Sequence, residues 1–270
     1  MTDSQFEAIG KDTASSTSIR VAAGAANVKG AWVQLVAASA RDAHSVVLEI
    51  GLDSGTSGIP GFLIDIGIGA SGSEQIIVPN LFYDQRAEFS EAVLCMFRLP
   101  LKVPAGSRLA ARVQCVTASA TFRVSAQLVS GEPSEDSVSR VYAYGVDTAT
   151  SRGTEIDPGA TVDTKGAWVQ LVASSDELSG LFITLGHGPV DTTTGCRYLI
   201  DIGVGAAASE QVIVSNIAVD SIIDGNLLLP AITDLFRTKI PAGSRLAVRA
   251  QSSTVSATER QFDVALYGVK

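Results

Sequence analysis

The nonapeptide Lys29-Gly30-Ala31-Trp32-Val33-Gln34-Leu35-Val36-Ala37 occurs a second time, unchanged, as Lys165 to Ala173. The two copies lie 136 residues apart and hold both tryptophans of the 270-residue chain. The same spacing carries Leu63-Ile64-Asp65-Ile66-Gly67 onto Leu199-Ile200-Asp201-Ile202-Gly203, and Ser73-Glu74-Gln75 onto Ser209-Glu210-Gln211. After a slip of one residue, Pro104-Ala105-Gly106-Ser107-Arg108-Leu109-Ala110 returns as Pro241 to Ala247. Such a near-gapless duplication requires one fold that can be used twice. Each copy, at about 135 residues, is large enough to bury its own core, which excludes a solenoid of short repeats. The expected domains are 1–137 and 138–270, joined through the polar stretch Ser130 to Ser137, which contains Gly131 and Pro133.

Within each copy the apolar period is two, the pattern of strands with one buried face. Ala31, Val33 and Leu35 alternate with Trp32 and Gln34, and Phe62, Ile64, Ile66 and Ile68 with Asp65, Gly67 and Gly69. Leu109, Ala111, Val113 and Cys115 alternate with Arg108, Arg112 and Gln114. The apolar share is 46% and is carried by Val, Ile, Leu and Ala, a mixture that favours strands and tight turns. In Pro-Ala-Gly-Ser, Pro presets φ and Gly takes the positive-φ position before the next strand. Seven or eight short strands per copy predict an all-β protein of two tandem homologous β-sandwiches, jelly-roll-like in topology. An immunoglobulin-like sandwich is the alternative, without a Cys–Trp–Cys pattern to support it.

A net charge of −8 with no run of Lys or Arg argues against nucleic acid. No apolar run approaches the roughly 20 residues of a membrane span, and the N-terminus lacks the regions of a signal peptide. Cys95, Cys115 and Cys196 occupy non-equivalent places in the two copies, so they read as free thiols made in a reducing cytoplasm. His44 and His187, the only histidines, do not recur either. The sequence contains no nucleophile elbow, phosphate loop or Cys-x-x-Cys motif. No catalytic residue, cofactor or metal is expected.

The candidate contact residues are the polar ones present in both copies: Trp32 and Trp168, Gln34 and Gln170, Asp65 and Asp201, Glu74 and Glu210, Arg108 and Arg245. Each tryptophan either anchors a flank of its sandwich or offers a stacking platform to a sugar ring. Asp65 and Asp201, on the face opposite the apolar row, are suited to accept backbone N–H groups at a bulge or to meet a neighbouring subunit. With Glu74 and Glu210 they also supply the carboxylates that a glycosidase or a calcium site needs, though without the Asp-x-Asp spacing of the latter. Arg108 and Arg245 are expected to pair with those acids. Segments 80–100 and 216–238 diverge most and are where the copies would acquire different contacts.

The strings Lys-Gly-Ala-Trp-Val-Gln-Leu-Val-Ala, Ile-Asp-Ile-Gly-x-Gly-Ala and Pro-Ala-Gly-Ser-Arg-Leu-Ala-x-Arg resemble those of structural proteins of tailed bacteriophages and gene transfer agents. The resemblance runs from about Gly10 to the C-terminus and covers both repeats. It implies a non-enzymatic virion protein: a head spike or fibre, a decoration protein or a tail-associated subunit. It also implies capsid or tail partners, a symmetric homo-oligomer, and contact with host-surface polysaccharide. Folding in the host cytoplasm without a signal peptide agrees with such a setting. A free carbohydrate-binding protein is the alternative, and a polysaccharide depolymerase working through Asp65 and Glu74 a more distant one.

Overall fold

A computed structural model of the chain describes residues 5–53, 61–84, 95–131, 138–187, 196–220, 233–255 and 260–270. These form an all-β protein of two sandwich units. The first comprises Met1–Leu81 with Phe89–Val141, the second Phe82–Glu88 with Tyr142–Lys270. The first ten strands are β1 (Gln5–Ile9), β2 (Lys11–Asp12), β3 (Thr17–Ala22), β4 (Val33–Val36), β5 (Ser45–Leu52), β6 (Phe62–Ile68), β7 (Gln75–Tyr83), β8 (Cys95–Leu99), β9 (Leu109–Cys115) and β10 (Thr121–Ser130). The second ten are β11 (Val141–Tyr144), β12 (Val146–Asp147), β13 (Arg152–Ile156), β14 (Val169–Val172), β15 (Leu178–His187), β16 (Arg197–Val204), β17 (Gln211–Asp220), β18 (Phe236–Ile240), β19 (Leu246–Ser252) and β20 (Phe262–Val269).

Each half pairs a six-stranded with a four-stranded sheet. In the first half the sheets run β2-β3-β10-β5-β8, with β1 also on β10, and β4-β9-β6-β7. The second half repeats this as β12-β13-β20-β15-β18, with β11 on β20, and β14-β19-β16-β17. Along β3 to β10 the pairs β3–β10, β4–β9, β5–β8 and β6–β7 are nested, the first strand with the last and so inward. Nesting of that kind is what one long hairpin gives when it rolls into two sheets, so the topology is a jelly roll.

The period-two pattern decides which side chains meet between the sheets. In the first half Ile64 and Ile66 of β6, Leu109 and Val113 of β9, Leu48 and Ile50 of β5, and Phe122 and Val124 of β10 are at most 2% exposed. Phe62 and Phe122 meet edge to face there. In the second half the equivalent Tyr198 and Phe262 pack with centroids 4.7 Å apart, among Ile200, Ile202, Val248, Ile183 and Leu266. Each such side chain contributes roughly 1.5–3 kcal/mol through burial.

The Pro-Ala-Gly-Ser turns behave as their residues demand. Ser107 N–H donates to Pro104 O at 3.2 Å and Ser244 N–H to Pro241 O at 3.3 Å, with φ of +77° at Gly106 and +83° at Gly243. Cys115 and Cys196 are buried thiols, and the side chain of Cys95 lies outside the described residues. Half of the divergent segments lies outside them too, at 85–94 and 221–232.

Candidate functional site

The repeated polar residues gather on the outer face of each four-stranded sheet. Asp65, mid-way along β6, stands directly across from Arg112 on β9, and Asp201 on β16 across from Arg249 on β19. The Arg112 Nε donates to Asp65 Oδ2 at 2.8 Å, and Arg249 Nε to Asp201 Oδ2 at 3.0 Å. The other carboxylate oxygen accepts from the first residue of the repeated nonapeptide. Lys29 Nζ lies 2.9 Å from Asp65 Oδ1, and Lys165 Nζ 2.8 Å from Asp201 Oδ1. Each ammonium also donates to a backbone carbonyl, Leu63 O or Leu199 O, at 2.9 Å.

A backbone donor completes each carboxylate. β17 slips register against β16 around Ile202, and Asn216 there takes a φ of +55°. Its N–H, turned out of the ladder, donates to Asp201 Oδ1 at 2.9 Å. Asn80, at a φ of +47°, gives its N–H to Asp65 at 2.8 Å. Asparagine tolerates this left-handed conformation better than most residues.

The tryptophans lie over this cluster. The Arg112 guanidinium sits 4.5 Å from the Trp32 ring centroid, and Arg249 at the same distance from Trp168. The far edge of each ring reaches the strand backbone where a side chain is missing. A Cβ on Gly67 would come within 2.8 Å of Trp32 Cη2, and one on Gly203 within 2.7 Å of Trp168 Cη2. Glycine at these positions is therefore a condition of the indole's seat.

One turn away, a second cluster repeats as faithfully. Arg108 donates from Nε to Gln34 Oε1 at 3.1 Å, and from Nη1 to Glu74 Oε1 at 2.8 Å and Gly69 O at 3.1 Å. Arg245 does the same to Gln170 at 2.7 Å, Glu210 at 2.7 Å and Gly205 O at 3.3 Å. The ten candidate residues thus fall into two clusters per unit, one around Asp65 or Asp201 and one around Arg108 or Arg245. Arg108 and Arg245 pair with the glutamates only, and the aspartates take Lys29, Arg112, Lys165 and Arg249 instead.

Asp65 and Asp201, on the face opposite the apolar row, are nonetheless buried, at 2% and 3% exposed. Long cationic side chains fold over them and carry apolar stems across the sheet. A guanidinium occupies one face of each ring, and both tryptophans remain half-exposed.

The electrostatics follow. Burial opposes the Asp201 carboxylate, but hydrogen bonds from Lys165, Asn216 N–H and Arg249 hold it below the usual range. Glu74 and Glu210 are likewise held down against burial, by backbone N–H groups and by Arg108 or Arg245. Desolvation draws Lys29 down to about 8, against the pull of Asp65. A glycosidase acid needs the opposite: a carboxyl kept protonated by its surroundings. Asp201, Glu74 and Glu210 are held in the opposite state and bound to cations, and Asp65 takes Lys29 and Arg112, so the arrangement fastens strands β6, β7 and β9, or β16, β17 and β19, to the segment that leads into β4 or β14. Among the described residues no group of three or more His, Cys, Asp or Glu is placed to hold a metal ion.

Sequence reasoning passed over Lys29, Lys165, Arg112, Arg249, Asn80 and Asn216. All six recur at equivalent positions in the two copies, which was the available signal.

No protein-family model matches the chain, and no curated protein matches it. Among solved structures, the chain is similar to the N-terminal CBM22-1–CBM22-2 tandem domain of Xyn10C from Paenibacillus barcinonensis. That likeness has 12% identity and a TM-score of 0.28, over 100% of this chain and 92% of the other. At that score it places no constraint on function.

Proposed function

We propose that the chain is a non-catalytic structural subunit of a phage-like virion that assembles with capsid or tail proteins as a symmetric homo-oligomer and touches host-surface carbohydrate. One observation carries the non-catalytic part: the polar residues common to both units are consumed, in the same way twice, in fastening the fold. A jelly roll whose repeated polar clusters brace one another across strands is a rigid scaffold, and its differences in contact are left to residues that do not repeat. The virion setting is supported by the resemblance of the three repeated motifs to those of phage structural proteins.

Light scattering of the purified chain and density-gradient banding with particles from the producing cells test this reading. A defined oligomer that bands with particles is expected. A monomer absent from particles and without affinity for host envelope polysaccharide overturns it.

A further inference from the structure

The second unit carries a groove of about 390 Å³ at one end of its four-stranded sheet, on the same outer face as Asp201. Its size falls within the range of small-ligand sites. Leu199 of β16 forms the middle of the floor, with Ala218 of β17 opposite on one side and Gln251 of β19 opposite on the other. Arg197, two residues earlier on β16, projects from the same face by strand alternation. Its backbone is locked to Ser253, whose Oγ accepts from Arg197 N–H at 2.9 Å and whose N–H donates to Arg197 O at 3.0 Å. Asp163 closes the rim, held by its N–H to Ser252 O at 2.9 Å.

The chemistry of this groove belongs to one unit only. At the equivalent positions the first half has Asn27 for Asp163, Gly61 for Arg197, Phe82 for Ala218 and Val116 for Ser253, while Leu63 and Gln114 match Leu199 and Gln251. The brace repeats and the groove does not. Arg197 and Asp163 are exposed, and among the described residues neither side chain is engaged by a protein group.

We propose that this groove binds a sugar bearing a carboxylate, of the uronic acid class; the proposal rests on the carbohydrate part of the reading above. A guanidinium that no described side chain engages offers a two-pronged match to a carboxylate. Asp163, the Gln251 amide and the Ser253 hydroxyl supply acceptors and donors for neighbouring hydroxyls. Leu199 and Ala218 give a small apolar floor for the C–H face of a ring. A phosphate dianion fits less well, because Asp163 shares the rim. With a net charge of −8 the chain does not draw polyanions from a distance, so recognition depends on the local fork.

The test is titration of the isotopically labelled full chain with sodium glucuronate, glucose and inorganic phosphate, followed by amide NMR. Glucuronate is expected to shift the amides of Arg197, Leu199, Gln251 and Ser253, with glucose and phosphate at least about tenfold weaker. Arg197→Gln and Ala218→Phe, the second copying Phe82 of the first repeat, are both expected to weaken glucuronate binding by about tenfold or more. Equal response to glucose or phosphate, no response to glucuronate, or wild-type binding by both variants overturns the groove. Host polysaccharide binding that persists in both variants overturns the groove and leaves the carbohydrate reading standing. No polysaccharide binding by the wild-type chain overturns both.

Discussion

Asp201 and Arg249 face each other across β16 and β19, with Arg249 Nε 3.0 Å from the carboxylate. Asp65 and Arg112 reproduce the relationship in the first unit at 2.8 Å. A cross-strand ion pair in the open contributes little. Here the aspartates are 2–3% exposed and each takes a second cation and a backbone N–H, so the loss of one partner strands buried charge.

The contrast between buried and exposed pairs gives a first expectation. Lys165→Ala removes a cation from Asp201, whose side chain is 4% exposed, and is expected to cost about 3 kcal/mol in urea denaturation. Lys270→Ala breaks a 3.2 Å pair with Glu177 whose side chains are 57% and 65% exposed. That change is expected to stay within about 0.5 kcal/mol. Equal costs for the two would remove the distinction.

The indole's seat gives a second. Gly67→Ala and Gly203→Ala place a methyl where Trp32 or Trp168 now lies and are expected to cost about 1–3 kcal/mol. Tryptophan emission should move to the red as the ring lifts off the sheet. An unchanged spectrum with unchanged stability would show that the ring has room to spare.

A third concerns pH. Burial pushes the Asp263 carboxyl up to about 7, with Asp84 and Glu155 adding to the effect and Arg152, at 2.7 Å, opposing it. Its folded pKa therefore exceeds the unfolded value of 3.8, so its stabilising contribution is full below about pH 4 and lost as pH rises through 7. Asp157, Asp201 and Glu210 are shifted down and lose their contribution only in the acid range, as pH falls below about 4. Thermal melts between about pH 5 and 8 should show the second unit losing stability with rising pH. Asp263→Asn should flatten that slope, and a slope unchanged by the substitution contradicts the assignment.

The duplication and the period-two pattern made the fold legible, because burial of alternate residues leaves a direct trace in sequence. Leu109, Val113, Ile64 and Ile66 lie in the core where the alternation puts them. The polar clusters were half legible. Trp32, Gln34, Asp65, Glu74 and Arg108 stand out as repeated polar residues, but which of them touch is a matter of side-chain reach across strands. Lys29 precedes β4 and belongs to no alternating row, yet its four-carbon stem takes it to β6. The role of Asn216 depends on a register slip that frees one N–H, and nothing in a strand pattern marks it. The groove at Arg197 escaped for the opposite reason: attention to repeated residues hides a site made from residues that differ.

The central claim is that the repeated polar residues hold the fold together by acting on one another. The most direct measurement is a double-mutant cycle in urea with Asp201→Ala, Arg249→Ala and the pair. Coupling of about 1–3 kcal/mol is predicted, with the double variant more stable than the sum of the single losses implies. Losses that add to within about 0.3 kcal/mol would contradict the account.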